Sequence, residues 1–423
     1  MIFNRRDFLK AMGAATATGA LYGCAGGTKA SGHVVVVGGG YGGATIAKYL
    51  RMWSEGSVQV TLIERNAQFV SCPISNLVIS GDKTLADITV GYEGLKKWGV
   101  RVIQDEVTAV DAVKRSIHLA QGGQMSYDRL VLSPGIDFMF DQIPGLNNAD
   151  AQGKILHAWK AGAQTVALRK QLEDMKDGGV YAITIPKAPY RCPPGPYERA
   201  SVIAGYFKAK KPKSKVLILD ANEDVVSKKG LFMKAWSDLY KDILEYRPNS
   251  ELRDVDVANR TAVLEFDKVK ADVLNVIPAQ RAGAIAANSG LKLINNRWVD
   301  IDWLSMESTS TPGIHVLGDA IFPAPTMPKS GHMANQHAKV AAAAILNLLS
   351  GQAPNPAPLV MNTCYSFVDS KNAIHVSSVH RYDAEKKTML PVTGAGGVSV
   401  ARNELEAKSA IGWSQNIWAD MLT

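Results

Sequence analysis

Beyond residue 30 the chain alternates short β-branched apolar runs with longer stretches whose apolar positions recur at helical spacing. Residues 33–37 form a valine run closed by glycines and read as a buried parallel strand. Residues 41–53 follow as a helix and 59–63 as a second strand ending at Glu64, a βαβ opening. Further strands are predicted at 100–104 and 127–132, the latter running into Ser133-Pro134-Gly135. After about residue 150 the pattern restarts, with a strand at 178–184, a helix at 198–207 and strands at 215–219 and 272–277. Residues 313–319 return to the first domain, 333–349 form a long Ala-rich helix, and 351–358 a Pro-rich turn. Residues 359–423, with β-like stretches and a final helix, read as a separate unit. The expected fold class is α/β: two Rossmann-like dinucleotide-binding domains plus a C-terminal α+β interface domain. The expected boundaries are 31–148 with 305–350 for the first domain, 149–304 for the second, and 351–423 for the third.

Residues 1–30 break this pattern. Asn4-Arg5-Arg6-Asp7-Phe8-Leu9-Lys10 precedes a mild apolar segment at 11–21, and Thr28-Lys29-Ala30 supplies small residues for cleavage. That order is a twin-arginine export signal, which implies a folded, cofactor-loaded protein in the periplasm. Cleavage near Ala30 is favoured over lipidation at Cys24, since Tyr22 suits a lipid site poorly. Without these residues 43 Lys/Arg face 38 Asp/Glu, and no basic run is interleaved with aromatics, so nucleic-acid binding is not expected. The basic cluster at 208–213 reads as a solvated loop before it reads as a docking site. No run of about 18 apolar residues suggests a membrane span.

Gly38-Gly39-Gly40-Tyr41-Gly42-Gly43 places G-x-G-x-x-G between a strand and a helix, with Gly38, Gly40 and Gly43 at the motif positions. Such glycines allow a tight turn and close approach of a pyrophosphate to amide donors at a helix start. Glu64 stands 21 residues after Gly43, where a carboxylate accepts from adenosine ribose hydroxyls. Arg65 and Val107 are added to the cofactor-binding set. Thr311-Pro312-Gly313 with Gly318-Asp319 resembles the second FAD motif of flavoproteins with two dinucleotide-binding domains, in which Asp319 would hold a ribitol hydroxyl. After the 178–184 strand a second glycine fingerprint is missing, and five prolines and Cys192 fill 186–196. Proline removes the donors a phosphate needs, so NAD(P)H is not expected as a partner.

Four cysteines are present, Cys24, Cys72, Cys192 and Cys364. With Cys24 lost or lipidated, three remain, an odd number for an exported chain. Cys72 follows the second strand in a loop directed at the cofactor. Cys192 sits at a strand-to-helix turn, where a helix start is expected to stabilise a thiolate. Inert buried thiols or a static disulfide remain the plain alternative. Glu198 is a candidate proton acceptor beside Cys192, or an ordinary acid in a first helical turn. His332 and His337 do not share a helix face and there is no Cys-x-x-Cys-His motif, so no metal is expected and any haem belongs to a partner.

The mature chain resembles the flavin subunit of flavocytochrome c sulfide dehydrogenase. The resemblance is carried by the glycine loop, Ser71-Cys72-Pro73 with Ser75-Asn76, His157-Ala158-Trp159-Lys160-Ala161-Gly162, the stretch from Tyr190 through Arg191 and Cys192 to Glu198 and Arg199, and Met327-Pro328-Lys329-Ser330-Gly331. It implies FAD bonded through Cys72, a redox disulfide between Cys192 and Cys364 that sulfide attacks, and a c-type cytochrome subunit as electron acceptor in a heterodimer. Lys329 is expected to face the flavin pyrimidine end, where positive charge stabilises reduced flavin. Two rivals share part of this pattern: a sulfide:quinone reductase with an exposed apolar C-terminal face around Trp413, Ile417, Trp418 and Met421, and a non-catalytic FAD-binding assembly protein.

Overall fold

The computed structural model describes residues 30–423; the twin-arginine segment and Cys24 lie outside the described residues. The chain opens with β1 (Gly32–Val37), α1 (Tyr41–Trp53), β2 (Val58–Glu64) and the short helix α2 (Ser75–Ser80), then β3 (Arg101–Gln104) and β4 (Arg129–Leu132). A second run follows: β5 (Val180–Ile185), α3 (Gly195–Lys210), β6 (Lys215–Asp220), α4 (Lys229–Leu239), β7 (Leu244–Arg247) and β8 (Val273–Val276). The chain returns through β9 (Ile314–Val316) and α5 (Gly331–Leu349), and ends in β10 (Leu359–Phe367), β11 (Ala373–Asp383), β12 (Thr388–Pro391) and α6 (Glu404–Leu422).

Two parallel sheets result, in the orders β9-β4-β1-β2-β3 and β7-β6-β5-β8. Val34, Val35 and Val36 are fully buried in a core shared with Ile46 of α1, Ile345 of α5 and Val107 and Ile117 of an antiparallel ribbon, so both faces of β1 are covered and it reads as a continuous apolar run rather than an alternating one. The α/β architecture with two Rossmann-like domains is therefore as the sequence pattern predicts. Helix α3 begins at Gly195, three residues before the predicted start, because Pro196 is tolerated in a first turn whose amides are unpaired anyway. Helix α5 is capped by Ser330, whose side chain accepts from the Met333 amide.

One boundary differs from expectation. Ala282, Ala286, Leu291, Trp298 and Trp303 pack into the same core as Val35, so the chain after about residue 280 rejoins the first domain rather than staying with the second through 304. The second sheet is complete at β8, and its two faces already lie in cores that contain none of these residues. The C-terminal segment carries its own antiparallel sheet and packs into both neighbouring cores. Met421 and Leu422 enter the first core, while Val368 and Ile374 enter the second. The antiparallel β10-β11-β12 sheet with α6 thus clamps the two Rossmann-like domains together. Ile417 and Met421 are buried and Trp418 Nε1 donates to the Tyr41 hydroxyl at 3.1 Å, so the apolar face of α6 caps a core. Among the described residues no helix is long and apolar enough to cross a membrane.

Candidate active site

Where the two domains and the C-terminal clamp meet lies a cavity of about 580 Å³. One end is the glycine turn. Gly38 has φ +98°, and a Cβ there would stand 2.4 Å from the Ser133 carbonyl oxygen. A Cβ on Gly40 would meet nothing within 4 Å, so this position leaves room for a ligand at the start of α1. Gly43 does not line the cavity; it lets α1 approach the turn, since its Cβ would lie 1.7 Å from the Gly38 carbonyl oxygen. Gly43→Ala should therefore cost at least about 1–3 kcal/mol through overpacking against backbone. A lower melting temperature and lost flavin content would be measured together; an unchanged pair would contradict this role. Glu64 is set at the rim with Arg65 and Val107. Its carboxylate accepts from the Gly39 amide at 2.6 Å and from the Asn66 amide at 2.8 Å.

The middle of the cavity carries Asp319 and Lys329. Asp319 is part-buried, and its shielded Oδ1 has no hydrogen-bond partner among the described residues. Burial pushes its pKa up, against the opposing charges of Arg191 and Lys329. An unpaired buried acceptor calls for a donor such as a ligand hydroxyl. Together with the open glycine turn and Glu64, this donor and acceptor set fits an FAD. Lys329 lines the cavity, but its ammonium is turned into the loop: it donates to the carbonyls of Asp319, at 2.9 Å, and Ile321, and lies 3.7 Å from the Trp298 ring centroid. Burial lowers its pKa to about 7.

All three cysteines reach this cavity. Cys72 Sγ accepts from Arg191 Nη2 at 3.0 Å and from the Ala161 amide at 3.5 Å. Its loop turns at Ile74, which has φ +75°. Cys192 is itself in the left-handed region, with φ +56°, a costly conformation for a non-glycine residue and one that clusters at functional sites. Gly195 clears space for its sulfur, since a Cβ there would lie 2.8 Å from Cys192 Sγ. Cys364 projects from β10, and Asn362 Nδ2 lies 3.3 Å from its sulfur. The expected disulfide is not formed in this structure, where Cys192 and Cys364 are unbonded. The expected thiolate at Cys192 is corrected: burial pushes its pKa well up, and the charges of Cys364 and Glu198 add to that, while Arg191 and Lys228 oppose. The helix start offers little help, because α3 begins only at Gly195, whose amide bonds the Cys192 carbonyl instead of its sulfur.

Glu198 is 8% exposed, which excludes an ordinary surface role. Its carboxylate accepts from the Phe367 amide and from Asn76 Nδ2, both at 2.8 Å. Burial raises its pKa, with those hydrogen bonds, Lys228 and Arg199 opposing. Two cations beside the cysteines were not singled out by sequence reasoning. Arg191 is the donor to Cys72, and its position beside Cys192 in a quoted motif was a usable signal. Lys228 is buried, with Nζ donating to the Cys364 carbonyl at 3.0 Å and to Ser366 Oγ at 2.8 Å. Nothing in its local sequence marks it, since the contact spans 136 positions. Burial lowers its pKa to about 8.

In the second domain the turn after β5 spends its amides internally. Ala188 N donates to Asn222 Oδ1 at 3.0 Å, Arg191 N to Gln280 Oε1 at 2.9 Å, and Cys192 N to the Lys329 carbonyl at 2.7 Å. His332 accepts from the Thr363 amide at 3.0 Å. Among the described residues no cluster of His, Cys, Asp or Glu could hold a metal ion.

Residues 165–278 match the family described as sulfide dehydrogenase [flavocytochrome c] flavoprotein chain, central, and 356–422 match flavocytochrome c sulphide dehydrogenase, flavin-binding. Residues 32–174 match pyridine nucleotide-disulphide oxidoreductase. Residues 3–22 match the twin-arginine translocation signal, so the chain is exported to the periplasm by that route. A sulfide dehydrogenase [flavocytochrome c] flavoprotein chain of Chlorobaculum thiosulfatiphilum is 59% identical over 46 residues, 11% of this chain and 94% of that one. The mitochondrial sulfide:quinone oxidoreductase of Mus musculus is 26% identical over 302 residues, 68% of this chain. The match spans 65% of the mouse protein and 64% of its Dictyostelium discoideum counterpart. The solved sulfide:quinone oxidoreductase of Aquifex aeolicus superposes with a TM-score of 0.76 at 18% identity, over 92% of this chain and 91% of that one, a likeness of fold.

Proposed function

This chain belongs to the family of flavocytochrome c sulfide dehydrogenase flavoprotein chains, and on that premise we propose that it oxidises sulfide at the Cys192–Cys364 pair and passes the electrons to a c-type cytochrome subunit. The observation that carries this is the convergence of Cys72, Cys192 and Cys364 on the cavity that the glycine turn and Asp319 equip for FAD. Glu64, Asp319 and the turn would hold the cofactor, with Cys72 as its covalent anchor. FAD, when bound, supplies a two-electron acceptor for the pair released by sulfur exchange.

The chain's own residues do the rest. In the oxidised pair, hydrosulfide attacks one sulfur, a new S–S bond forms to it, the cysteine–cysteine bond breaks, and the other cysteine leaves as a thiolate. Lys228 and Arg191 offset negative charge in a site that burial makes hostile to it. Glu198, with its raised pKa, takes up the proton of the incoming sulfur and gives it back on release of the sulfane product. NADH is excluded as donor in this scheme because the amides that would cradle its pyrophosphate are bonded internally. Ile417 and Met421 of α6, which a membrane-bound quinone reading would need exposed, are buried, while Val398, Val400 and Leu405 of the same unit are exposed; the flavocytochrome family matches favour the cytochrome.

The test is anaerobic mixing of the purified flavoprotein with sulfide or NADH, followed by addition of oxidised cytochrome c or a soluble quinone. Sulfide should bleach the flavin, NADH should not, and cytochrome c should restore the colour faster than quinone. Bleaching by NADH, or no response to sulfide, would overturn the proposal, and the second outcome would leave an FAD-binding assembly role.

A further inference from the structure

The two thiols of the pair have unlike surroundings. Cys364 Sγ has a side-chain donor, Asn362 Nδ2, at 3.3 Å. The other end of that amide, Oδ1, accepts from the Ser330 hydroxyl at 2.6 Å and, at the longer distance of 3.5 Å, from the Cys364 thiol. Ser330 is itself fixed as the cap of α5 by the Met333 amide at 3.0 Å. Both Asn362 and Ser330 are buried. Lys228 adds a buried ammonium on the Cys364 carbonyl. Cys192 Sγ accepts no hydrogen bond among the described residues, and its backbone is held at φ +56°. The carboxylate of Glu198 faces it as well as Cys364.

Building on the sulfide chemistry proposed above, we infer that Asn362, aligned by Ser330 and backed by Lys228, designates Cys364 as the leaving sulfur, so that the incoming sulfide sulfur bonds to Cys192. In this step hydrosulfide forms an S–S bond to Cys192, the Cys192–Cys364 bond breaks, and the electron pair leaves on Cys364. FAD, when bound, would supply the oxidant for that pair. Asn362 N–H bonds the thiolate as it forms, and a better-stabilised leaving thiolate departs faster. The electrostatics agree in direction. Burial and the Glu198 charge raise both thiols and Lys228 opposes at both, but only Cys364 has side-chain hydrogen bonds, from Asn362 and Ser330, that oppose the rise, whereas Cys192 has the charge of Arg191 instead. Asn362 touches the reacting sulfur; Ser330 and Lys228 are positioning residues.

Two measurements on the flavin-loaded protein test this. In the first, the pair is reduced with a phosphine and alkylated with iodoacetamide across pH, and each cysteine peptide is followed by mass. Cys364 should react with the lower apparent pKa. Asn362→Leu should slow its alkylation roughly tenfold at pH below both values, the size of a lost hydrogen bond to a charged acceptor, and leave Cys192 unchanged. Equal or reversed acidity in the native chain would overturn the inference, whether or not the variant folds. No sulfide is used, so this result stands apart from failure of the sulfide chemistry itself. In the second, one equivalent of sulfide is added to the oxidised native protein and trapped with N-ethylmaleimide. The extra sulfur should appear on the Cys192 peptide; its appearance on the Cys364 peptide would overturn the inference.

Discussion

Cys192→Ser and Cys364→Ser proteins should fold, retain flavin, and be reduced by sulfide about a thousandfold or more slowly than the native chain. Serine keeps the size of each side chain and the packing of Trp159 and Gly195 around position 192. What it removes is the exchangeable sulfur bond, so the loss falls on turnover. A purely structural bridge predicts otherwise. The two positions are 172 residues apart, and closing so long a loop could contribute roughly 5 kcal/mol in the chain-entropy model. Its loss would lower the melting temperature while leaving bleaching intact in any folded variant. The core does not depend on such a bridge for contact between domains, since Met421 and Val368 already tie the C-terminal clamp to both. Melting temperature and single-turnover bleaching, measured side by side, separate the two cases. Normal bleaching in either folded variant would rule out the pair as the entry point of sulfide.

A Cys72→Ser protein should lose nearly all its flavin to the supernatant on acid precipitation, while the native protein should stay yellow in the pellet. Serine can still accept from Arg191 and the Ala161 amide, the two donors on Cys72 Sγ, so the loop should hold its shape. Non-covalent binding through the glycine turn, Glu64 and Asp319 should survive in the folded variant. The acid step removes that binding and leaves only what a covalent bond retains. A native peptide containing Cys72 should carry the flavin mass. Flavin retained by acid-precipitated Cys72→Ser would place the attachment elsewhere.

The first half of this site was legible because its signals are local. The spacing of Gly38, Gly40 and Gly43 between a strand and a helix encodes the turn, and Glu64 ends the adjacent parallel strand. Asp319 was marked by a short motif, and the structure adds why it matters: its Oδ1 is buried without a partner. The second half depends on contacts over long separations. Lys228 reaches Cys364 across 136 positions and Asn76 reaches Glu198 across 122, and no periodicity records either. The thiolate expected at Cys192 failed for a different reason. A strand-to-helix turn suggested amide donors, but burial and the neighbouring charges dominate, and the first helical amide goes to a carbonyl. The extent of the second domain was misjudged because Trp298 lies in a two-residue strand and Trp303 in a turn, and apolarity alone does not tell which of two cores they join.

Most direct for the central claim is a non-reducing peptide map of the oxidised, flavin-loaded protein, taken before and after a substoichiometric anaerobic pulse of sulfide. Before the pulse, the Cys192 and Cys364 peptides should be linked to each other. After it, linked peptide should disappear in proportion to the flavin bleached. Flavin that bleaches while the linked peptide persists, or a pair found as free thiols in the oxidised protein, would contradict sulfide oxidation through this disulfide.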